Sequence, residues 1–224
     1  MRDLTLVIPA KHESESLPLF LEELKDYKFK KLIVLEENDL KTINVIKNFP
    51  DIKILFQKKN GYGSAIVEGI KIVDTNFFCI INADGSMNPI YVERMLNKLE
   101  DNNLDFVFAS RYEKPGGGSD DDDLITLVGN YFFTKFGNIF FKLNISDILF
   151  TYILGKTDLF NAQNFSSNDF TLCVEMPIKL KRNAYKLDII PSFERSRIGG
   201  KKKVKPFRDG LLILLKMFRM LFSK

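Results

Sequence analysis

The sequence predicts an α/β protein with a mostly parallel sheet that is covered by helices on both faces. Short apolar runs alternate with segments of helical periodicity through the first half of the chain, which is the order of repeated strand–helix units. The runs are apolar throughout rather than at every second position, as is typical of strands buried on both sides. A chain of 224 residues can bury one full core, so we expect a single domain.

Five strands are predicted in the first half, and each is a short apolar run. They comprise residues 4–9, 31–35, 53–57, 77–81 and 106–110. Sheets of this class bind their ligands at the carboxyl ends of the strands. The polar segments at those ends are therefore the candidate functional site.

Four helices are predicted between these strands. The first spans residues 17–24, with Ser16 as its N-cap and Pro18 in its first turn. The other three are expected at residues 40–49, 63–73 and 90–99. Because helices alternate with strands, they are expected to cover both faces of the sheet.

The second half begins with a segment of different character at residues 114–123. It combines a proline, three consecutive glycines, a serine and four consecutive aspartates, so we expect a flexible loop. An aromatic helix over 131–141, a helix near 173–181 and a strand near 187–193 follow. Pro206 is expected to start a terminal helix, which divides the chain into a domain at 1–205 and a basic amphipathic helix at 206–224.

Positive charge is concentrated near the C-terminus, although the formal net charge is only +4. This asymmetry indicates an anionic partner such as a membrane surface or a phosphate group. Nucleic acid is not expected, because no recognised binding motif accompanies the charge. The basic residues, opposed only by Asp209, are Lys201, Lys202, Lys203, Lys205, Arg208, Lys216, Arg219 and Lys224.

The two cysteines are too few for a disulfide scaffold and indicate reduced thiols. A strand is predicted from Leu4, so we expect no signal peptide and a cytoplasmic protein. The apolar segment at 211–222 would reach only ~18 Å as a helix, against ~30 Å of hydrocarbon. We therefore expect it either to lie in the interface of a membrane or to pack on its own domain.

Polar motifs lie where a ligand-binding edge is expected. Residues 9–13 end the first strand with a turn and a carboxylate, which could hold a nucleobase or a ribose. Glu36 ends the second strand and could accept a hydrogen bond from a base. Gly61 and Gly63 open a helix ahead of the fourth strand, where glycine lets the backbone approach a ligand and a helix N-terminus favours phosphate.

The triplet Asn82-Ala83-Asp84 follows the fourth strand and is the most informative motif. Mg²⁺ and Mn²⁺ take carboxylates together with substrate phosphate oxygens, so Asp84, with Ser86 and Asn82, is a candidate metal site. Asparagine at the first position removes one negative charge. Metal binding is therefore expected to be weaker, or to depend more on the bound diphosphate. The acidic run at 120–123 is an alternative metal site.

Taken in this order, the motifs resemble glycosyltransferase family 2, and in particular its dolichol-phosphate mannose synthase-like branch, the polyprenyl-phosphate sugar transferases. The family's P-x-x-N-E is similar to residues 9–13 with His12 in the Asn position, and its D-A-D is similar to 82–84 with Asn82 as the departure. Its G-x-G-x-A matches 61–65 directly. Its later motifs are similar to 110–117, to Ser146-Asp147, and to the end motif at 197–203.

The resemblance implies a Rossmann-like sheet of the GT-A type and an inverting hexosyltransferase. It implies transfer of a hexose from a UDP- or GDP-sugar, with Mg²⁺ or Mn²⁺, to a lipid phosphate or glycan acceptor at the inner face of the membrane. Arg197 and Lys203 are implied to bind phosphate, and Arg111 and Asp147 are implied to be catalytic, Asp147 as the base for a hydroxyl acceptor. The implied nucleotide-sugar residues are Pro9, Ala10, His12, Glu13, Glu36, Gly61, Gly63, Asn82, Ala83 and Asp84.

Two alternatives remain open on the sequence. One is a soluble transferase that acts on a glycan or a small-molecule hydroxyl. The other is a degenerate, non-catalytic module that binds a nucleotide sugar, which His12, Asn82 and Leu127 suggest. The run of aspartates at 120–123 stands where the family usually carries basic residues.

Overall fold

A computed structural model describes residues 3–200 and 202–223 of the chain. Its main sheet has seven strands in the order β3-β2-β1-β4-β7-β5-β8, and a second sheet pairs β6 with β9. The strands are β1 (Leu4–Pro9), β2 (Lys30–Leu35), β3 (Ile52–Phe56), β4 (Phe77–Ile80), β5 (Phe106–Ser110), β6 (Gly118–Ser119), β7 (Ile153–Lys156), β8 (Leu187–Pro191) and β9 (Phe193–Glu194).

The main sheet is mostly parallel, as predicted. β1 pairs in parallel with β2 and β4, β2 with β3, and β5 with β8. β7 is inserted between β4 and β5 and runs antiparallel to both. The sequence did not predict β7, since Gly155 and Lys156 interrupt its apolar run. Gly155 is required there, because a Cβ at this position would lie 2.1 Å from the ring of Phe106.

The helices cover both faces of the sheet, which confirms the predicted architecture. They are α1 (Leu17–Glu23), α2 (Leu40–Ile46), α3 (Tyr62–Lys71), α4 (Ile90–Asp101), α5 (Leu124–Phe141), α6 (Thr157–Asn161), α7 (Leu172–Arg182) and α8 (Pro206–Phe222). Alternate side chains of the central strands point to opposite faces, so Leu6 packs with α1, α2 and α4 while Val7 packs with α3, α6 and α7.

A third hydrophobic cluster joins α5, α7 and α8 outside the sheet layers. Ile213 and Met217 of α8 are buried there against Phe133 of α5 and Val174 of α7. The terminal helix therefore packs on the domain through one of its faces. Across the described ranges, no helix combines the length and apolar character that crossing a membrane requires.

Two local features differ in detail from what the sequence indicates. Ser16 is the N-cap residue of α1, as predicted, but its hydroxyl does not cap the helix and instead donates a 2.5 Å hydrogen bond to Glu13. The loop at 114–123, expected to be flexible, is tied to the rest of the chain by ion pairs from Asp121 and Asp122. Its carboxylates face buried or half-buried guanidinium groups, and such pairs hold a loop in place.

Candidate functional site

The predicted site residues meet at the carboxyl ends of β1, β2 and β4. The turn after β1 lies beside the end of β2, since the backbone N–H of Ala10 donates to the carbonyl of Val34 at 2.9 Å. The segment after β9 crosses to the same edge, where the N–H of Ile198 donates to the carbonyl of Asp84 at 2.8 Å. Residues far apart in the sequence are thereby brought to one edge of the sheet.

The turn after β1 is held by Asp39, a residue that the sequence reasoning missed. The N–H of His12, which has a left-handed φ of 53°, donates to the Asp39 carboxylate at 2.7 Å. Burial alone would raise the pKa of Asp39, but hydrogen bonds from His12 and Thr42 lower it below its usual value. The His12 side chain is 71% exposed, and its Nδ1 lies 3.6 Å from the Asp39 carboxylate. The sequence does contain a signal for this role, because an Asp three residues before a Thr, as Asp39 is before Thr42, is typical of a helix N-cap.

Glu13, predicted to bind the nucleoside, contacts Lys203, predicted to bind phosphate. The Glu13 carboxylate is almost fully buried and accepts a hydrogen bond from Lys203 Nζ at 2.8 Å. Glu36 at the end of β2 accepts one from Lys11 Nζ at 2.7 Å. Both predicted carboxylates therefore stand at this edge with a lysine partner.

Lys201 and Lys224, two of the basic residues near the C-terminus, lie outside the described residues.

Packing within the chain also requires glycine at the start of α3, in addition to the predicted approach to a ligand. Gly61 has a φ of +118°, and a Cβ there would lie 2.2 Å from the carbonyl oxygen of Asn168. A Cβ at Gly63 would lie 2.6 Å from the carbonyl oxygen of Ser167. The close approach that these glycines permit is thus made by the chain's own loop ahead of α7. That their backbone also lies against a ligand stays a prediction.

Asp84 occupies a tight turn after β4. Its Oδ1 accepts hydrogen bonds from the N–H and the hydroxyl of Ser86, at 3.1 and 2.9 Å. Its Oδ2 lies 3.7 Å from Arg197 Nη1, beyond hydrogen-bonding distance. The side chain of Asn82 accepts a 2.9 Å hydrogen bond from the Tyr62 hydroxyl, which also contacts Thr151 at 2.5 Å.

The oxygen ligands at this turn are of the kind that Mg²⁺ and Mn²⁺ prefer. Asp84 Oδ2 is the carboxylate oxygen not used by Ser86, whereas the Asn82 oxygen is already bonded to Tyr62. Within residues 3–200 and 202–223 no group of three acidic, histidine or cysteine side chains could hold a metal ion alone. The turn therefore fits a metal that also takes oxygens from a substrate, with Asp84 as its protein carboxylate.

Arg197 is held by the acidic loop. Its Nε and Nη2 donate to the two carboxylate oxygens of Asp121 at 3.2 and 2.5 Å. Lys202 Nζ donates to the carbonyl of Asp121 at 2.5 Å and lies 3.4 Å from Asp123. Burial alone would lower the pKa of Arg197, but the bonds to Asp121 raise it above its usual value. The predicted phosphate-binding arginine is thus already occupied by a carboxylate from its own chain.

Arg111 is the centre of a buried cluster. Its Nε and Nη2 donate to Asp147 at 2.7 and 3.0 Å, and its Nη1 donates to Asp122 at 2.9 Å and to Glu194 at 3.1 Å. Asn130 also donates to Asp147, at 2.8 Å. Burial would lower the pKa of Arg111, but its carboxylate partners raise it well above its usual value.

This geometry bears on the role of base that was predicted for Asp147. Its side chain has no exposed surface, and both carboxylate oxygens accept hydrogen bonds from Arg111. A general base must reach the proton that it removes. In this arrangement Asp147 holds Arg111 in place through these hydrogen bonds, and its use as a base stays a prediction. Arg111 itself is 6% exposed and is equally enclosed.

Glu194 completes the cluster and was not predicted from the sequence. It accepts hydrogen bonds from Arg111 and from the Ser119 hydroxyl, the latter at 2.6 Å. Burial raises the pKa of Glu194 above its usual value, against the opposing effect of Arg111. Nothing in the local sequence pattern distinguishes Glu194 from a surface carboxylate. Glu194 belongs to the cluster because β9, which carries it, pairs with β6.

Comparison with known proteins gives a family for this chain. The family model described as Glycosyl transferase family 2 matches residues 5–162. An uncharacterized glycosyltransferase of Mycobacterium tuberculosis is 28% identical over 108 residues, which are 48% of this chain and 48% of that protein. The aligned part thus spans about half the length of such curated relatives.

Two solved structures are similar in fold. Glucosyl-3-phosphoglycerate synthase from Mycobacterium tuberculosis, in complex with Mn²⁺, UDP and phosphoglyceric acid, superposes with a TM-score of 0.74 at 11% identity. That alignment covers 100% of this chain and 80% of the synthase. Mannosyl-3-phosphoglycerate synthase from Rubrobacter xylanophilus gives a TM-score of 0.73 at 16% identity, over 97% and 73% of the two chains. At these identities the likeness establishes a shared GT-A fold.

Proposed function

Because the chain belongs to glycosyl transferase family 2, we propose that it transfers a hexose from a nucleoside-diphosphate sugar to an acceptor held at a membrane surface. The observation that carries the donor half is the meeting of Asp84, Arg197 and the Glu13–Lys203 pair at one edge of the sheet. A carboxylate that could hold a metal and two cations that could bind phosphate therefore support a donor site at this edge. UDP and GDP are the candidate nucleotides.

In this proposal, residues 9–13 and Glu36 hold the nucleoside, and the diphosphate lies between Asp84 and Arg197. Mg²⁺ or Mn²⁺, held by Asp84 and the donor's phosphates, would neutralise charge on the leaving group. The anomeric C–O bond to the diphosphate breaks as the acceptor oxygen bonds to the same carbon, which inverts its configuration. Arg197 and Lys203 stabilise the negative charge on the departing nucleoside diphosphate.

The position of Asp147 bears on the acceptor. A hydroxyl acceptor must lose a proton, whereas a phosphate acceptor attacks as an anion and needs little help from a base. Asp147, the predicted base, is enclosed with Arg111. This favours a phosphate acceptor, and a polyprenyl phosphate of the dolichol-phosphate mannose synthase-like branch is the form that a membrane would supply. The chain would then work in the cytoplasm, as a peripheral protein at the inner face of the membrane.

The structural likeness favours a second candidate. The two similar enzymes named above are synthases of glucosyl- and mannosyl-3-phosphoglycerate. A small phosphorylated acceptor in solution is therefore the alternative to a lipid. Transfer to phosphoglycerate without detergent or lipid would favour it, and transfer only to polyprenyl phosphate would favour the membrane acceptor.

Calorimetric titration with UDP, GDP and their hexose conjugates, each with and without Mn²⁺, tests the donor half. We expect one nucleotide to bind more tightly with Mn²⁺, and Asp84→Ala to abolish that increment. Asp74→Ala is the matched control, since Asp74 is an exposed carboxylate that pairs with Lys30 in a 2.9 Å surface contact. If Asp84→Ala leaves metal-dependent binding and transfer intact, the metal assignment is wrong. Tight donor binding without transfer to any acceptor would indicate a non-catalytic module.

A further inference from the structure

The terminal helix α8 has two apolar faces, of which the domain covers one. Ile213, Met217 and Met220 are buried against α5 and α7. At 100° per residue, the exposed apolar side chains fall on the opposite side and form one stripe. They are Phe207, Leu211, Leu215, Phe218 and Phe222, and the exposed fractions of the first and last are 83% and 86%.

Helix α5 repeats this arrangement. Phe133 and Gly137 lie on its buried side, while apolar residues continue around its solvent side. A helix that is apolar all round is expected to be enclosed by protein or by lipid. The exposed side chains are Leu124, Ile125, Leu127, Val128, Tyr131, Phe132, Ile139 and Phe140, and Leu124 and Ile139 are 75% and 67% exposed.

Aromatic rings connect the two exposed sets into one surface, which we call the α5–α8 face. The ring centroid of Phe136 lies 6.4 Å from that of Phe132 on α5 and 5.4 Å from that of Phe218 on α8. Single exposed apolar residues are normal on a soluble protein, but a contiguous apolar surface indicates an interaction site.

The charges around this face are mostly positive. Lys135 and Lys142 lie within or just after α5, and Lys205, Arg208 and Arg219 lie at or within α8, all of them exposed. Among the described residues of the two helices and their caps, the acidic side chains are Asp209 and Asp123, and Asp123 lies 3.4 Å from Lys202. Lys216 is excluded from this count because it is bound to the buried Glu175 at 3.1 Å.

We propose that the α5–α8 face docks on the surface of a bilayer that contains anionic lipids, with both helices lying in the interface. The apolar side chains enter the acyl boundary, and the surrounding cations meet the headgroups. This inference deepens the proposed membrane acceptor by naming the surface that meets the membrane. It extends the contact from α8 alone to a pair of helices.

The same charges argue against a second copy of the chain as the occupant. A two-fold dimer places a patch against itself, so cations at its edge face cations of the partner. Anionic headgroups neutralise these cations instead. The bilayer is therefore the better match for a face that is apolar in the centre and basic at the edge.

Docking through this face would place the membrane beside the candidate site. Helix α5 starts directly after the acidic loop, where Asp123 accepts a hydrogen bond from the N–H of Thr126 at 2.8 Å. Helix α8 starts three residues after Lys203, which contacts Glu13 at 2.8 Å. Both helices thus begin at the edge where the donor is proposed to bind, and a lipid-borne acceptor would have a short path to it.

The test is sedimentation of the full chain with vesicles of phosphatidylcholine mixed with phosphatidylglycerol, and with vesicles of phosphatidylcholine alone. We compare Phe207→Ser/Leu211→Ser on α8 and Val128→Ser/Ile139→Ser on α5. The matched control is Leu19→Ser/Leu40→Ser, because these residues are 57% and 64% exposed on α1 and α2, away from the face. Circular dichroism confirms that each variant is folded.

We expect each α5 or α8 double variant to lower the partition coefficient about tenfold or more, and the control to leave it unchanged. Arg208→Gln/Arg219→Gln should weaken binding about tenfold on the mixed vesicles only. If the chain does not bind mixed vesicles, or if the α5 and α8 variants bind as the control does, the proposal is wrong. A concentration-dependent dimer that only these variants abolish, without vesicle binding, would assign the face to a second copy. Nucleotide binding without vesicles is measured on the same variants, so failure of docking is distinguished from failure of the proposed reaction.

Discussion

Replacing Asp121 with asparagine should tighten the binding of a nucleoside diphosphate in the absence of metal. In the structure Arg197 donates two hydrogen bonds to Asp121, at 3.2 and 2.5 Å. A diphosphate that recruits Arg197 must first separate this pair. The substitution keeps the shape of the side chain but removes the negative charge that competes with the ligand.

The burial of the pair sets the size of the effect. The side chains of Arg197 and Asp121 are 21% and 17% exposed. Exposed pairs contribute about 0–1 kcal/mol, whereas breaking a buried pair costs about 3–5 kcal/mol. For a pair between these limits we take about 1.4 kcal/mol, which corresponds to about tenfold tighter binding.

Calorimetric titration of UDP and GDP in the presence of a chelator measures this change. Uridine and guanosine are the ligand controls, because they carry no phosphate and should bind both proteins equally. Asp120→Asn is the matched protein control, since Asp120 is exposed in the same loop. In an Arg197→Ala background, Asp121→Asn should have no effect. Unchanged or weaker diphosphate binding by Asp121→Asn alone would refute the competition between carboxylate and diphosphate.

Three further outcomes are expected. Arg111→Ala leaves three buried carboxylates without their common partner, so it should destabilise the fold by about 3–5 kcal/mol and lower the Tm by roughly 10 °C in a melting experiment. Burial alone would raise the pKa of Glu175, but hydrogen bonds from Lys179 and the 166–167 loop lower it to about 2. Stability should therefore fall by about 3 kcal/mol as the pH drops from about 4.5 towards 2, and urea unfolding of Glu175→Gln should lack this slope. Gly61→Ala should lower stability in a melting experiment, because Gly61 has a φ of +118° and a Cβ there would lie 2.2 Å from the Asn168 carbonyl oxygen.

The strands were predictable because a strand that is buried on both faces needs a nearly continuous run of apolar residues. Runs such as 4–9 and 106–110 are apolar except for Thr5 and Ser110, and the structure shows strands with the same bounds. β7 has no such run, since a glycine is required beside Phe106 and a lysine follows it. Its antiparallel direction depends on contacts with β4 and β5, which are far away in the sequence.

The candidate site was predictable where function depends on a local turn, and not where it depends on long-range pairing. Asp84 and Glu13 follow strands directly, so topology alone places them at the ligand-binding edge. The contact between Asp121 and Arg197 joins residues 76 positions apart. Consecutive aspartates in a glycine-rich loop do not indicate a partner by themselves. Only the folded chain brings them to the basic end motif.

Two departures from the family pattern are physically connected through Arg197. Asn82 removes a negative charge from the turn that holds Asp84, so an arginine beside that turn would neutralise the carboxylate that remains. In the structure Arg197 lies 2.5 Å from Asp121 and 3.7 Å from Asp84. The guanidinium therefore hydrogen-bonds to the acidic loop and keeps only a longer ion pair with Asp84. An aspartate-rich loop that would repel a diphosphate on its own thus leaves the Asp84 carboxylate less neutralised at the candidate metal site, where Asn82 has removed one charge.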